Sequence, residues 1–189
     1  MEKVVFDIDD RLQNPGDSTQ FQGHLDQQEY RLGGHDFTVP AGMDYDLMLT
    51  NAGDGILATG IIRCHAVGTC DRCLDPAEFD IEGEVDEYYL FEAPAEEGSE
   101  PEEEDVDFSL VGDDQTIDLT EALESAVLME TPYIVLCKED CKGLCPVCGA
   151  NLNHEDCGHA AQIQRQHEED KLSSSPFAAL KDLHLDDNK

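Results

Sequence analysis

Cations are scarce in this chain. Of 189 residues, 11 are Lys or Arg against 44 Asp or Glu, a formal net charge of -33, and no Lys or Arg lies between Arg72 and Lys138. Such a surface repels phosphate, whereas a protein that grips nucleic acid unaided carries a basic patch whose contacts release counterions. Any link to RNA must therefore run through a small local patch or through a basic protein. A solubility or salt adaptation accounts for the acidity equally well. Long apolar runs are also missing: no stretch approaches the ~20 residues of a membrane span. The N-terminal Met-Glu-Lys-Val-Val-Phe-Asp has no basic region followed by an apolar run. The expected location is the cytoplasm, with no membrane partner. Nucleophile elbows, phosphate loops and zinc-protease helix motifs are absent, so neither hydrolase nor transferase chemistry, nor a small-molecule substrate, is expected. No internal repeat of about 20–50 residues occurs.

What is present suffices for one substantial core or two small ones, with 40% apolar residues. Residues 1–43 read as a strand at Val4 to Ile8 followed by loops, with Gly33-Gly34 and Pro40-Ala41-Gly42 as breakers. From Tyr45 the pattern becomes β: Leu47 and Leu49 share a face, Asn51 to Gly55 form a turn, and Ile56 to Val67 lead into Cys70. Beyond Cys73, Phe79, Ile81, Val85 and Tyr89 alternate with Asp80, Glu82, Glu84 and Asp86, the period-two signature of a half-buried strand. Residues 44–91 thus read as an antiparallel meander, with Cys70 and Cys73 at a hairpin tip. Residues 94–115 carry ten acidic groups, no basic ones and two prolines, the composition of a mobile loop. Asp118, with Glu121 three residues on, is expected to cap a helix ending before Thr131-Pro132. Tyr133 to Leu136 then reads as a short strand delivering Cys137, and Ser175-Pro176-Phe177 as the start of a terminal helix with Phe177, Leu180 and Leu183 on one side. The expected fold is α+β: an antiparallel β meander with a central helix, a C-terminal zinc knuckle module and a short terminal helix. Residues 1–136 would form a mainly β domain and 137–189 a zinc-binding region packed on it.

The eight cysteines carry the chemistry. In a reducing compartment their spacing indicates metal or redox use rather than disulfides. A Cys-x-x-Cys turn points two sulfurs at one ion, and two such turns occur, Cys70 with Cys73 and Cys145 with Cys148. With Cys137, Cys141, Cys157 and His159 they supply eight ligands, the number for two closed tetrahedral sites. One partition groups Cys70, Cys73, Cys137 and Cys141 around one zinc ion and Cys145, Cys148, Cys157 and His159 around a second. The rival is a single site at Cys141, Cys145, Cys148 and Cys157, with the upstream pair free or redox active. Cys64, within a strand, reads as a small buried hydrophobe; His65 and His154 read as solvated, and Gly143 and Gly149 as backbone hinges around the metal. Closed four-ligand sites leave no position for water or substrate, so the zinc is expected to be structural and the protein not an enzyme. The enzymatic alternative is a Cys-x-x-Cys thiol-disulfide oxidoreductase, although neither pair opens a helix in a βαβ pattern. A sequence-reading zinc finger would need a basic recognition helix, and Ala160 to Lys171 offers only Arg165 and Lys171 as cations.

Three motifs in order, Cys70-Asp71-Arg72-Cys73-Leu74, Ile117-Asp118-Leu119-Thr120-Glu121 and Cys141-Lys142-Gly143-Leu144-Cys145-Pro146-Val147-Cys148-Gly149-Ala150-Asn151-Leu152-Asn153, with the tail Pro176 to Lys181, resemble the YceD family of large ribosomal RNA subunit accumulation proteins. The resemblance spans roughly residues 56–183. It implies a noncatalytic role in synthesis, processing or accumulation of large-subunit (23S) ribosomal RNA during ribosome biogenesis. It also places the family's cysteine motifs on Cys70, Cys73, Cys137, Cys141, Cys145, Cys148 and Cys157. Where a final Cys-x-Cys is expected, this chain has Cys157-Gly158-His159, and histidine also ligates zinc. Given the charge, the expected partners are large-subunit precursors reached through basic ribosomal or assembly proteins.

Overall fold

The computed structural model describes residues 1–93 and 109–173. In chain order the strands are β1 (Val5–Asp7), β2 (Ser18–Leu25), β3 (Glu29–Leu32), β4 (His35–Thr38), β5 (Met43–Asn51), β6 (Gly55–Thr69), β7 (Pro76–Leu90), β8 (Ser109–Leu110) and β9 (Thr116–Asp118), followed by helices α1 (Thr120–Glu130) and α2 (Ala160–Ser173). The chain divides into two compact units: Met1–Cys70 with Asp75–Cys137, and Asp71–Leu74 with Lys138–Lys189. No helix among the described residues is long and apolar enough to cross a membrane.

The first unit is built on a largely antiparallel sheet of order β2-β5-β6-β4-β3, with β7 on the other side of β6. Strict alternation sends Met43, Tyr45, Leu47 and Leu49 of β5 inward and their neighbours outward. The β6–β7 hairpin pairs every residue from Gly55 with Leu90 to Thr69 with Pro76, and β7 buries Ile81, Val85 and Tyr89 while Asp80, Glu82, Glu84 and Asp86 face solvent. The apolar core also takes in Phe6 of β1, Ile117 of β9, and Leu123, Ala126 and Val127 of α1. Burial of a side chain such as Leu123 contributes about 1.5–3 kcal/mol. Helix α1 stops at Thr131, whose ψ of 125° takes the chain out of the helix ahead of Pro132. The Thr131 hydroxyl donates back to the Val127 carbonyl at 2.7 Å.

Four expectations are corrected here. Residues 18–38, read as loops, form β2, β3 and β4. Strand β2 is polar, alternating exposed with half-buried residues up to the buried Leu25; it forms because all of Ser18 to Leu25 pair with β5, a partner no local pattern reveals. Gly33-Gly34, with φ of 59° and 90°, is the two-residue turn of the β3–β4 hairpin, and Tyr30 stacks on Phe37 across it at 4.9 Å. Second, within the acidic stretch residues 109–115 belong to the sheet and its turn: β8 runs parallel beside the end of β7, and Gly112 donates to the Thr116 carbonyl. Residues 94–108 lie outside the described residues, as does the expected helix at Ser175 to Leu183. Third, Asp118 is not the helix cap. Pairing with Val5 holds it in β9, so Leu119 occupies the cap position, although the Asp118 carboxylate still accepts from Thr120 N–H at 3.0 Å. Fourth, Tyr133 to Leu136 is not a strand: Val135 is buried, but Tyr133 and Ile134 are 82% and 64% exposed. The segment joins neither sheet and anchors itself on the buried Val135.

Cys64 is buried, and burial, with the Asp80 charge second, pushes its thiol from an ordinary 9.0 up to about 11. It is expected to resist iodoacetamide at pH 8 in the folded chain and to react on unfolding, as read by mass spectrometry. Because the folded value is the higher, this thiol's contribution is fully present below about pH 9. It is lost as pH rises toward 11, on the order of 1 kcal/mol. His65, on the opposite face, is half-exposed, and its hydrogen bond with Asp80, at 2.8 Å, raises its pKa.

Candidate metal centre

Cysteine and histidine side chains gather into two groups of four, Cys70, Cys73, Cys137 and Cys141, and Cys145, Cys148, Cys157 and His159; within each group the ligand atoms lie within 4.8 Å of one another. A tetrahedral ion with bonds of about 2.3 Å to sulfur and about 2.0 Å to imidazole separates its ligand atoms by about 3.5–3.8 Å. Both groups could hold such an ion with small side-chain adjustments. In the second, Cys145 Sγ is already 3.8 Å from His159 Nδ1. The rival set of Cys141 with Cys145, Cys148 and Cys157 is not one of the groups the fold assembles. None of the eight cysteines is in a disulfide.

Local backbone explains how each Cys-x-x-Cys turn aims its sulfurs. At the hairpin tip Cys70 N–H donates to the Asp75 carbonyl at 2.9 Å, and the residue after Cys73, Leu74, takes a left-handed φ of 65° while its side chain stays 65% exposed. That conformation costs a non-glycine residue about 1–2 kcal/mol. The second turn has the same bend with the residue suited to it: Gly149, after Cys148, has φ 74°. Cys145 accepts from Gly149 N–H and donates to the Ala150 carbonyl, both at 2.8 Å, closing the loop. Leu144 and Asn151 bridge its base.

The neighbouring motif residues have definite work. Gly143 combines a φ of 72° with a close approach, since a Cβ there would sit 3.0 Å from the Arg72 carbonyl. That carbonyl accepts from Leu144 N–H at 2.9 Å, and Arg72 Nη1 donates to the Cys141 carbonyl at 3.2 Å. Asn153 receives the Lys142 N–H on Oδ1 at 3.0 Å and directs Nδ2 at Cys141 Sγ, 3.3 Å away. No residue-type pattern singles out Arg72, Leu74 or Asn153; their signal in the sequence is their place inside the family motifs.

Burial pushes the Cys145 thiol up, but the backbone N–H groups of Cys148 and Val147 and the thiols of Cys157 and Cys148 outweigh it and hold it down at about 6. Cys157 moves the other way: the His159 N–H lowers it, yet its hydrogen bond with Cys145 and its burial raise it overall. A thiol ionised at neutral pH is the form that binds metal.

Comparison with known proteins adds the lineage. An uncharacterized protein of Mycobacterium tuberculosis is 38% identical over 117 residues, 62% of this chain and 54% of the relative. One of Mycobacterium leprae is 30% identical over 151 residues, 79% of this chain and 67% of the relative. A maize (Zea mays) protein named large ribosomal RNA subunit accumulation protein YCED homolog 1, chloroplastic, is 27% identical over 117 residues, 50% of this chain and 40% of the relative. The chain spans about half the length of the first of these. No solved structure matches. The profile of the family described as large ribosomal RNA subunit accumulation protein YceD matches residues 58–184, and with both cysteine turns and the Asn151-Leu152-Asn153 segment inside that span, the chain belongs to the YceD family.

Proposed function

We propose that this protein is a noncatalytic zinc-binding factor that supports the synthesis, processing or accumulation of large-subunit (23S) ribosomal RNA, acting in the cytoplasm. The observation that carries this reading is family membership across residues 58–184, and the name of the maize relative points the same way. The two four-ligand groups fit zinc because thiolate-rich, four-coordinate sets are its usual structural environment. In this reading Cys70, Cys73, Cys137 and Cys141 hold one ion and Cys145, Cys148, Cys157 and His159 the other. Residues 1–136 serve as the mainly β domain and 137–189 as the zinc-binding region. With a net charge of -33, contact with large-subunit precursors runs through their basic proteins rather than through RNA phosphates.

Sedimentation of cell extracts tests the function: the tagged chain should travel with large-subunit precursors, and deleting its gene should deplete large-subunit RNA relative to small-subunit RNA. Absence of both effects would refute the role. Metal analysis of the purified chain should give two zinc ions per chain with unreactive ligand thiols; one or none, with thiols that cycle to disulfide, would favour the oxidoreductase. Asn153→Ala removes the amide aimed at Cys141 Sγ and should weaken zinc retention about 10–100-fold against a competing chelator, as outer-sphere partners do elsewhere.

A further inference from the structure

Strand β7 has two edges, and β6 covers only one. Along the other, the strand pairing among the described residues is limited to Tyr89 and Leu90 with β8. Beyond β8 a cavity of about 350 Å³ lies between this edge and α1. Its lining takes in consecutive residues of β7, Glu84 and Asp86, which face solvent, together with Val85, which faces the core. A lining that includes both faces of one strand opens on the strand's edge rather than on the sheet surface. The far wall is α1, where Ala122, Ala126 and Met129 supply an apolar bank, with Met129 84% exposed. Carboxylates rim the groove: Glu84, Asp86 and Glu87 from β7, Asp118 from β9 and Glu121 from α1. No Lys or Arg is among its described lining residues.

An open strand edge offers backbone hydrogen bonds to an extended chain. The acidic rim selects a cationic one, and the apolar bank suits the aliphatic stems of lysine or arginine, whose charged heads reach the carboxylates. A second copy of this chain fits poorly, because two surfaces of the same sign would meet. We propose that this groove takes an extended, Lys- or Arg-rich segment of a partner protein, added to the sheet as a strand along β7 in line with β8. The identity of that partner as a basic protein of the ribosomal precursor rests on the function proposed above; the groove's chemistry does not.

The test uses the full chain and a fluorescent peptide of about eight residues alternating Lys and Val, a typical strand length, followed by anisotropy at physiological salt. Two variants of equal net charge are compared, Glu84→Lys with Glu121→Lys at the groove and Asp44→Lys with Asp80→Lys on the outer face. The groove variant should lose about tenfold or more in affinity and the control less than about twofold, since rim charges remote from a site act weakly at this salt. A peptide N-methylated at alternate residues, unable to complete a ladder, should lose a similar factor. Equal losses in the two variants, or undiminished binding of the N-methylated peptide, would overturn the proposal. So would displacement of the peptide by a single-stranded RNA, or a dimer of the chain that the groove variant abolishes. In extracts, co-sedimentation of the unaltered chain reports on the proposed function, and its selective loss in the groove variant reports on this surface.

Discussion

Stripping the metal from the full chain with a chelator is expected to disorder the segment from Lys138 to His159 while the β sheet stays folded. Among described side chains after Cys137, the buried apolar ones are Cys141 and Cys145 alone, so this segment has almost no core of its own. Its order rests on knuckle hydrogen bonds and on the ligand groups, and structural zinc sites of this kind contribute on the order of 10–16 kcal/mol in small peptides. That matches the whole stability of an ordinary domain. The sheet, by contrast, carries Leu47, Leu49, Ile56 and Ile62 fully buried, with Leu123 of α1 against them. The β signal in circular dichroism should survive chelation, limited proteolysis should cut within residues 138–159, and added zinc should restore resistance. Unchanged resistance after verified metal loss would remove the structural role from the metal.

Gly83→Ala is expected to destabilise the fold strongly, by driving α1 away from β7. A Cβ at Gly83 would lie 2.5 Å from the Ala126 carbonyl oxygen and 2.7 Å from its carbonyl carbon. Those are backbone atoms of α1, so no side chain can swing away; the helix must shift from β7. Overpacking of this kind costs about 1–3 kcal/mol and more where backbone is the obstacle, equivalent to a fall in melting temperature of about 2–4 °C per kcal/mol for a chain of this size. Val85→Ala, a cavity rather than a clash, leaves α1 in place and serves as the comparison. A melting temperature unmoved by Gly83→Ala would mean that α1 does not sit this close to β7.

How legible each feature was depended on whether its cause is local. The β7 strand was readable because four apolar residues at period two can bury on only one face. The end of α1 was readable because Pro132 restricts Thr131. Strand β2 was not readable, since its apolar residues are only Phe21 and Leu25 and it is a strand by virtue of β5. The β3–β4 hairpin has a local signal, Gly33-Gly34 between Tyr30 and Phe37, but a glycine pair marks loops as readily as two-residue turns. Asp118 looked like a cap because the capping pattern is local, whereas the β1–β9 pairing that displaces it joins residues far apart in the chain.

The same division runs through the metal centre. The sequence by itself determined the inventory of candidate ligands, because a Cys-x-x-Cys turn brings its two sulfurs together through its own backbone, and it determined the kinship, because ordered motifs need no coordinates. Only the tertiary structure decided which turn meets which distant cysteines. It brought Cys70 and Cys73 together with Cys137 and Cys141, and Cys145 and Cys148 together with Cys157 and His159. It also aimed Asn153 at Cys141 and, among the described residues, paired one edge of β7 only at Tyr89 and Leu90. The physical reason is common to all of these: short-range geometry is written in neighbouring residues, while meetings across many residues depend on where the folded sheet and its turns deliver the chain.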